Sequence, residues 1–353
     1  MSETWPVIVV GGSGYVAGEM LRLVAGHPRL RLNAAVSTSR TGEPIAVSFP
    51  HLKATYPQEQ FVTLDAACER LGQAEHWAVL SAAPHGTSAE IVARLLGEAE
   101  SAGVTATVVD ASADFRFRDP QIFSSVYAQE HPAPARLAEF HCAVPEHVGD
   151  IETPHAAQPG CFATSILLAI VPLLQLQLCS ANFHVSAITG STGAGRTLRD
   201  TTHHPFRHGN LFAYQPLVHR HAPEVVALAH AATSRRIQLG FVPHSGPFAR
   251  GIHATIFAEV DASTSTRQVI DALTSFYATS PFVQIGDAPP RMKDVVASNY
   301  AHLSASVEGG TVVVCSVLDN LLKGAAGGAM QWLNRLLGLP ETLGLDTAAA
   351  GWL

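Results

Sequence analysis

Charge is scarce in this chain. Asp, Glu, Lys and Arg together make up 14% of its 353 residues, while hydrophobic residues make up 47%. Such a chain can bury a large core, and its length suggests two domains. Basic residues are outnumbered, 22 Lys and Arg against 29 Asp and Glu, for a formal net charge of -7. The basic surface that nucleic acid requires is therefore missing. Long hydrophobic runs are missing too. The longest, Ile166 to Leu174, falls far short of the roughly 20 residues that span a bilayer. No basic segment precedes the apolar stretch at Val7, so no secretory signal is expected. The five cysteines (Cys68, Cys142, Cys161, Cys179 and Cys315) are odd in number, scattered and without CxxC spacing. They argue against a disulfide framework or a zinc site and fit a reducing, cytoplasmic setting. Internal repeats and low-complexity segments are absent. The closing TAAAGWL is expected to be mobile unless Trp352 docks.

The N-terminal part reads as a nucleotide-binding unit. VIVVGGSGYVAGEMLRLVAGHP opens with four apolar residues, Val7 to Val10, which suit a strand buried on both faces. Gly11, Gly12, Ser13 and Gly14 follow, and then a helical pattern with Met20, Leu21 and Val24. Strand, glycine turn and helix in that order are the context of a dinucleotide fingerprint. Gly11 allows the tight turn and Gly14 a close approach to pyrophosphate. Ala17 stands where a third glycine often permits helix and strand to pack closely. The free N–H groups of the helix start would face the phosphates. After the next predicted strand, Arg31 to Val36, comes Ser37-Thr38-Ser39-Arg40 with no acidic residue to hold a ribose 2′-hydroxyl. Thr38, Ser39 and the Arg40 guanidinium suit a 2′-phosphate instead, which favours NADP over NAD. Predicted strands at Trp77 to Ala83 and Thr107 to Val109 end in Pro84-His85-Gly86 and Asp110-Ala111-Ser112. Those carboxyl ends face the ligand crevice of a doubly wound sheet. His85 is read equally as a crevice residue or as a helix-start histidine.

The remainder concentrates polar chemistry in a few places. In QPGCFATS, Pro159-Gly160 punctuates the chain and a helix is predicted from about Phe162, with Thr164 as a possible cap and Pro172 as a kink. A thiol at a helix start feels the positive end of the macrodipole, which favours thiolate. Cys161 is thus either a nucleophile or a small core residue, and the local sequence leaves both open. In NLFAYQPLVHRHAPEV, His219, Arg220, His221 and Glu224 crowd together. Glu224 falls three residues after His221, so a helical turn would set a carboxylate beside the imidazole. A solvated helix start is the plain alternative. Metal binding lacks a further close-spaced ligand set. AITGSTGAGR, residues 187 to 196, reads as a phosphate- or carboxylate-binding turn ending in Arg196, or as a flexible connection.

GGSGYVAGE, PHG at 84–86, DASADFR at 110–116, VPE at 144–146, PGCFAT, GSTGAGR, HRHAPE, PHSGPFARG at 243–251 and DNLLKGAAG at 319–327 occur in that order along nearly the whole chain. The set resembles N-acetyl-γ-glutamyl-phosphate reductases, relatives of aspartate-semialdehyde dehydrogenase. The resemblance implies an α/β fold: a Rossmann domain over residues 1–157, an α+β catalytic and oligomerisation domain with an antiparallel or mixed sheet over 158–322, and a C-terminal helix over 323–353 returning to the first domain. It implies NADPH-dependent reduction of an acyl phosphate in arginine biosynthesis by a cytoplasmic homotetramer, without a metal. By position, Cys161 matches the nucleophile and His221 the acid/base, with His219 and Glu224 beside it. His244 in PHSGPFARG competes for the acid/base role. Ser112 and Arg116, with Arg196, fall near the substrate, and Pro84 and Asn320 near the cofactor. CAVPE stands where the family usually has YGLPE. TTHHPFRHGN and PETLGLD look like a sister branch that reduces aminoadipyl or glutamyl phosphate on a small acidic amino-group carrier protein, whereas GAGR points back to the acetylglutamyl enzyme. Of the rival readings, a regulator that senses NADP without catalysis would have no use for Cys161, His221 and Glu224 together. An ordinary aldehyde dehydrogenase would need a water-activating base, which is not identifiable.

Overall fold

The computed structural model describes residues 4–351, so Trp352 lies outside the described residues. The chain divides into two compact units. One takes the chain up to Cys142 together with Asp150–Gln158 and Ala326–Leu345; the other takes Ala143–Gly149, Pro159–Ala325 and Asp346 onward. The sequence expectation kept 143–149 with the first unit. They belong to the second because Glu146 pairs with Lys323 and His147 with Tyr277.

The first unit is built on seven parallel strands: β1 (Trp5–Val10), β2 (Leu30–Val36), β3 (Phe61–Val62), β4 (His76–Ser81), β5 (Thr105–Asp110), β6 (Phe140–Cys142) and β7 (His155–Ala157). They lie in the order β3-β2-β1-β4-β5-β7-β6. Val7 to Val10 are fully buried, as a parallel strand covered on both faces demands. Strand order reverses between β1 and β4, the switch point beside which doubly wound folds bind nucleotides. The helix Gly327–Leu336 packs against β5 and β7 of this same unit.

The second unit has a mixed sheet of β8 (Asn182–Thr189), β9 (Phe212–Ala213), β10 (Gln238–Ser245), β11 (Ile252–Glu259), β12 (Val283–Ile285), β13 (Ala301–Glu308) and β14 (Thr311–Leu318). The order is β12-β13-β14-β11-β8-β10-β9. The β10–β8 and β12–β13 pairs are parallel and the remaining pairs antiparallel. In β8, Phe183, Val185, Ala187 and Thr189 are buried while Asn182, His184 and Ser186 are exposed, the period-two pattern of a sheet with one covered face. Helices Cys161–Gln175 and Thr266–Phe276 pack together and against this sheet. The first is apolar all round and almost wholly buried. The second starts with a capping box between Ser265 and Gln268.

Candidate active site

The glycine turn after β1 is shaped by contact rather than by flexibility alone. Gly11 has φ +93°, and a side chain there would overlap the Ala82 carbonyl after β4. Gly14 is different. It is the N-cap of helix Tyr15–Gly26, no side chain caps that helix, no acid occupies its first turn, and a Cβ on Gly14 would meet nothing nearer than 3.7 Å. Uncapped helix N–H groups beside open space fit a pyrophosphate. Ala17 is buried as expected, but the tightest helix contact is at Gly18, where a Cβ would stand 2.5 Å from the Phe49 ring. Thr38, Ser39 and Arg40 lie exposed beyond β2, and Arg40 Nη1 is 2.8 Å from Glu43 Oε2. Glu43, the first acidic residue after β2, is thus held to that arginine. Such an exposed pair contributes about 0–1 kcal/mol and leaves the guanidinium able to take another anion. Pro84 is exposed just past β4.

PHG and DASADFR prove to be one polar latch at the carboxyl ends of β4 and β5. His85 Nδ1 accepts from Ala113 N–H at 2.9 Å, which makes it a link between the two motifs. Asp114 accepts from Gly86 N–H (2.8 Å) and Ala89 N–H (2.9 Å), capping the helix Ser88–Ser101 from a distance in sequence. Asp110 is buried and accepts from Ser88 Oγ (2.6 Å) and Ser112 Oγ (2.5 Å). Burial first, and Asp114 second, push its carboxyl up to about 6. Arg116 donates to the carbonyls of Gln158 and Ala111, both at 3.0 Å. Ser112 and Arg116, expected near substrate, are thus buried and engaged in holding this unit together.

In the second unit Cys161 is the first residue of its helix, one earlier than predicted, with Gly160 as N-cap and no side-chain cap. Thr164 does not cap the helix start: its hydroxyl donates back to the Gly160 carbonyl at 3.1 Å. Cys161 is partly exposed, as are Cys68, Cys142 and Cys315, while Cys179 is buried with its thiol pushed up to about 11. Helix His221–Thr233 packs against the Cys161 helix. Two of its first-turn residues close on Gly160. Glu224, fully buried, accepts the Gly160 N–H at 2.6 Å. The His221 ring crowds the space where a Gly160 side chain would stand, with Nε2 2.4 Å from the place of its Cβ. Only glycine permits this approach. His219 is buried, and its Nδ1 accepts the His221 N–H at 3.2 Å. Its ring stands edge-on to those of His221, Phe162 and Tyr214. Burial, then the Arg220 charge, lowers His219 to about 4, so it is neutral at pH 7 with its proton on Nε2.

Sequence reasoning missed Tyr214. Burial first, then the neighbouring Cys161 sulfur, raise its phenol above the usual range. A lone tyrosine before a loop carries no local signal of that proximity. His244 lies on β10 opposite Ile188 and Ala213, and its Nδ1 is buried without a hydrogen-bond partner. The GSTGAGR turn is not a loose connection: Ser191 and Thr192 N–H donate to the Phe248 and Ala249 carbonyls at 2.9 and 3.1 Å. Asn320 joins both strands of that arrangement, accepting from Gly251 N–H at 2.8 Å and donating to Thr192 Oγ1 at 3.0 Å. Arg196 is exposed beyond the turn.

A dinucleotide-type turn on a parallel sheet, and, beside a mixed sheet, a cysteine at a helix start whose preceding glycine is closed on by an imidazole and a buried carboxylate, define a semialdehyde-dehydrogenase-type oxidoreductase. Residues 6–152 match the family described as semialdehyde dehydrogenase, NAD binding domain. Residues 161–320 match semialdehyde dehydrogenase, dimerisation domain. A crystal structure of aspartate semialdehyde dehydrogenase II from Vibrio cholerae shares the fold, with a TM-score of 0.67 at 16% identity over 96% of this chain and 99% of that one. N-acetyl-gamma-glutamyl-phosphate reductase from Pseudomonas aeruginosa is 38% identical over 97% of this chain and 98% of its own length. A reductase of LysW-linked L-2-aminoadipate and L-glutamate phosphate from Aeropyrum pernix is 34% identical, covering 96% of each chain. The chain belongs to the N-acetyl-γ-glutamyl-phosphate reductase family, and it uses a nicotinamide cofactor and a small-molecule substrate.

Proposed function

We propose that this protein reduces N-acetyl-L-glutamyl 5-phosphate to N-acetyl-L-glutamate 5-semialdehyde and phosphate with NADPH, a step of arginine biosynthesis, in the cytoplasm and as a homotetramer. The observation that carries the reading is Cys161 at the uncapped start of a buried helix, with His221 and Glu224 closing on the residue before it. Gly11, Gly12, Ser13 and Gly14 would hold the pyrophosphate, Pro84 would border the cofactor, and Thr38, Ser39 and Arg40 would take the 2′-phosphate. When bound, the nicotinamide supplies hydride.

Cys161 thiolate attacks the acyl phosphate carbon; the bond to the phosphate oxygen breaks and phosphate leaves, which forms a thioester. The helix-start N–H groups stabilise the oxyanion. Hydride and one proton convert the thioester to a thiohemiacetal, whose C–S bond then breaks to release aldehyde and restore the thiolate. His221 moves that proton at the carbonyl oxygen. Neutral His219 orients His221 through its backbone N–H. Glu224 fixes the Gly160 peptide, and Arg196 draws in the anionic substrate. Asn320 secures the turn preceding Arg196.

The reverse reaction tests this: phosphate-dependent reduction of NADP by free N-acetylglutamate semialdehyde, compared with the same semialdehyde on an amino-group carrier protein. Turnover of the free aldehyde supports the reading. Turnover of the carrier-linked one alone transfers the protein to the carrier-dependent reaction, which the Aeropyrum pernix relative favours. Neither activity would leave an NADP-binding regulator.

A further inference from the structure

We infer that the buried ion pair between Lys323 and Glu146 is a positioning device for the nucleophile: it holds a turn whose Gly324 is pressed against Cys161. The inference rests on the thioester reading of Cys161. Both side chains are wholly buried, and the Lys323 ammonium also stands 5.6 Å over the Phe282 ring. A buried pair is weak evidence for stability, because desolvation offsets much of the attraction and a matched apolar pair often serves as well. What a charged pair adds is a directional tether, and here the tethered segment is unusual. Residues Leu322–Ala326 form a single turn of π-helix, an arrangement that carries an extra residue and recurs at functional sites.

The turn is pinned on both sides of Lys323. Before it, Asp319 Oδ1 accepts the N–H groups of Leu321 and Leu322 at 2.8 and 3.0 Å. After it, Gly324 N–H donates to the Asp319 carbonyl at 3.0 Å. A Cβ on Gly324 would stand 2.7 Å from Cys161 Cβ and 3.1 Å from its Cα. The turn therefore backs Cys161 at its Cα and Cβ, while the His221 ring packs against Gly160, the residue before it. The residue after Glu146 reaches the same helix. Tyr277 donates to the Leu168 carbonyl inside the Cys161 helix at 2.6 Å, so His147 Nε2 must donate to the Tyr277 oxygen, 2.9 Å away. Residues 146 and 147 thus brace both the turn behind Cys161 and the helix that carries it.

The test compares Lys323→Met and the double variant Lys323→Met/Glu146→Leu with the parent enzyme. Turnover is normalised to the fraction of protein that binds NADPH, so unfolded protein is not counted as lost chemistry. The expected result is a kcat at least tenfold lower in both variants, with KM within about twofold, and slower alkylation of Cys161 by iodoacetamide. The double variant should regain thermal stability without regaining kcat. A parental kcat and alkylation rate in the double variant would make the pair a mere packing element and overturn the inference. Failure of the underlying reading looks different: Cys161→Ala would then keep its turnover.

Discussion

At the scale of single residues, what matters is which side chain touches the thiol and which only supports it. Cys161→Ala should abolish turnover while leaving NADPH affinity unchanged, measured by cofactor fluorescence. Cys68, Cys142, Cys179 and Cys315 lack any comparable setting, and loss of chemistry on replacing one of them while Cys161 proved dispensable would move the nucleophile. His221→Asn should lower kcat by about 10²–10⁴-fold with little change in KM, the range general acid–base catalysis supplies. A nearly normal single turnover in that variant beside a collapsed one in His244→Asn would give the role to His244. Arg40 offers a second residue-level test. A charge-assisted contact to phosphate contributes about 1.5–3 kcal/mol, so Arg40→Ala should weaken NADPH roughly ten- to a hundredfold and NADH hardly at all. Glu43→Gln should act in the opposite direction, because it frees the guanidinium from its present partner.

At the scale of elements, the site depends on two helix starts meeting at one glycine. Gly160 has an ordinary φ of -60°, so its requirement is not one of backbone conformation. It comes from the His221 ring that crowds the place of a side chain. Gly160→Ala should displace the helix His221–Thr233 from the Cys161 helix and reduce kcat as severely as loss of His221 does, although alanine suits a helix start sterically. Glu224→Gln should be milder than His221→Asn, since its effect reaches the reaction through the Gly160 N–H rather than through a moving proton. The 2.6 Å bond predicts that the amide variant loses a charge-assisted acceptor yet keeps the geometry. A kcat loss in Glu224→Gln equal to that of His221→Asn would show that the carboxylate takes part in proton transfer itself.

At the scale of the whole molecule, burial of neutral histidines ties stability to pH. Burial is the chief cause that lowers His147, His155 and His219 each to about 4. Their unfolded forms protonate near 6.5, so unfolding takes up protons below that value. Their contribution is complete above pH 6.5 and is lost as pH falls from 6.5 towards 4. Asp110 runs the other way: its raised value means that protonation in the same range favours the folded form, against the histidines. With three groups against one, the melting temperature should fall as pH drops through this window, by roughly 2–4 °C for each kcal/mol lost in a domain of this size. A flat melting curve between pH 7 and 5 would contradict the burial of these rings.

The order of elements, the parallel sheet, the glycine turn and the helix behind Cys161 were legible because local rules govern them. Val7 to Val10 can only be a doubly covered strand, Gly11 needs the turn it makes, and an apolar helix of fifteen residues must be buried. The candidate chemistry was legible as residue types in a familiar order, not as contacts. Only the tertiary structure decided that Ser112 and Arg116 serve the latch around Asp110, that Arg40 is paired with Glu43, and that Glu224 addresses Gly160 across sixty-four residues of chain. Gly324 and Lys323 carried no sign of their nearness to Cys161, 162 residues before the lysine. The reason is physical. Periodicity and turn chemistry act within one element, whereas a buried polar atom takes whichever partner the packing of distant elements delivers, and no local pattern encodes that choice.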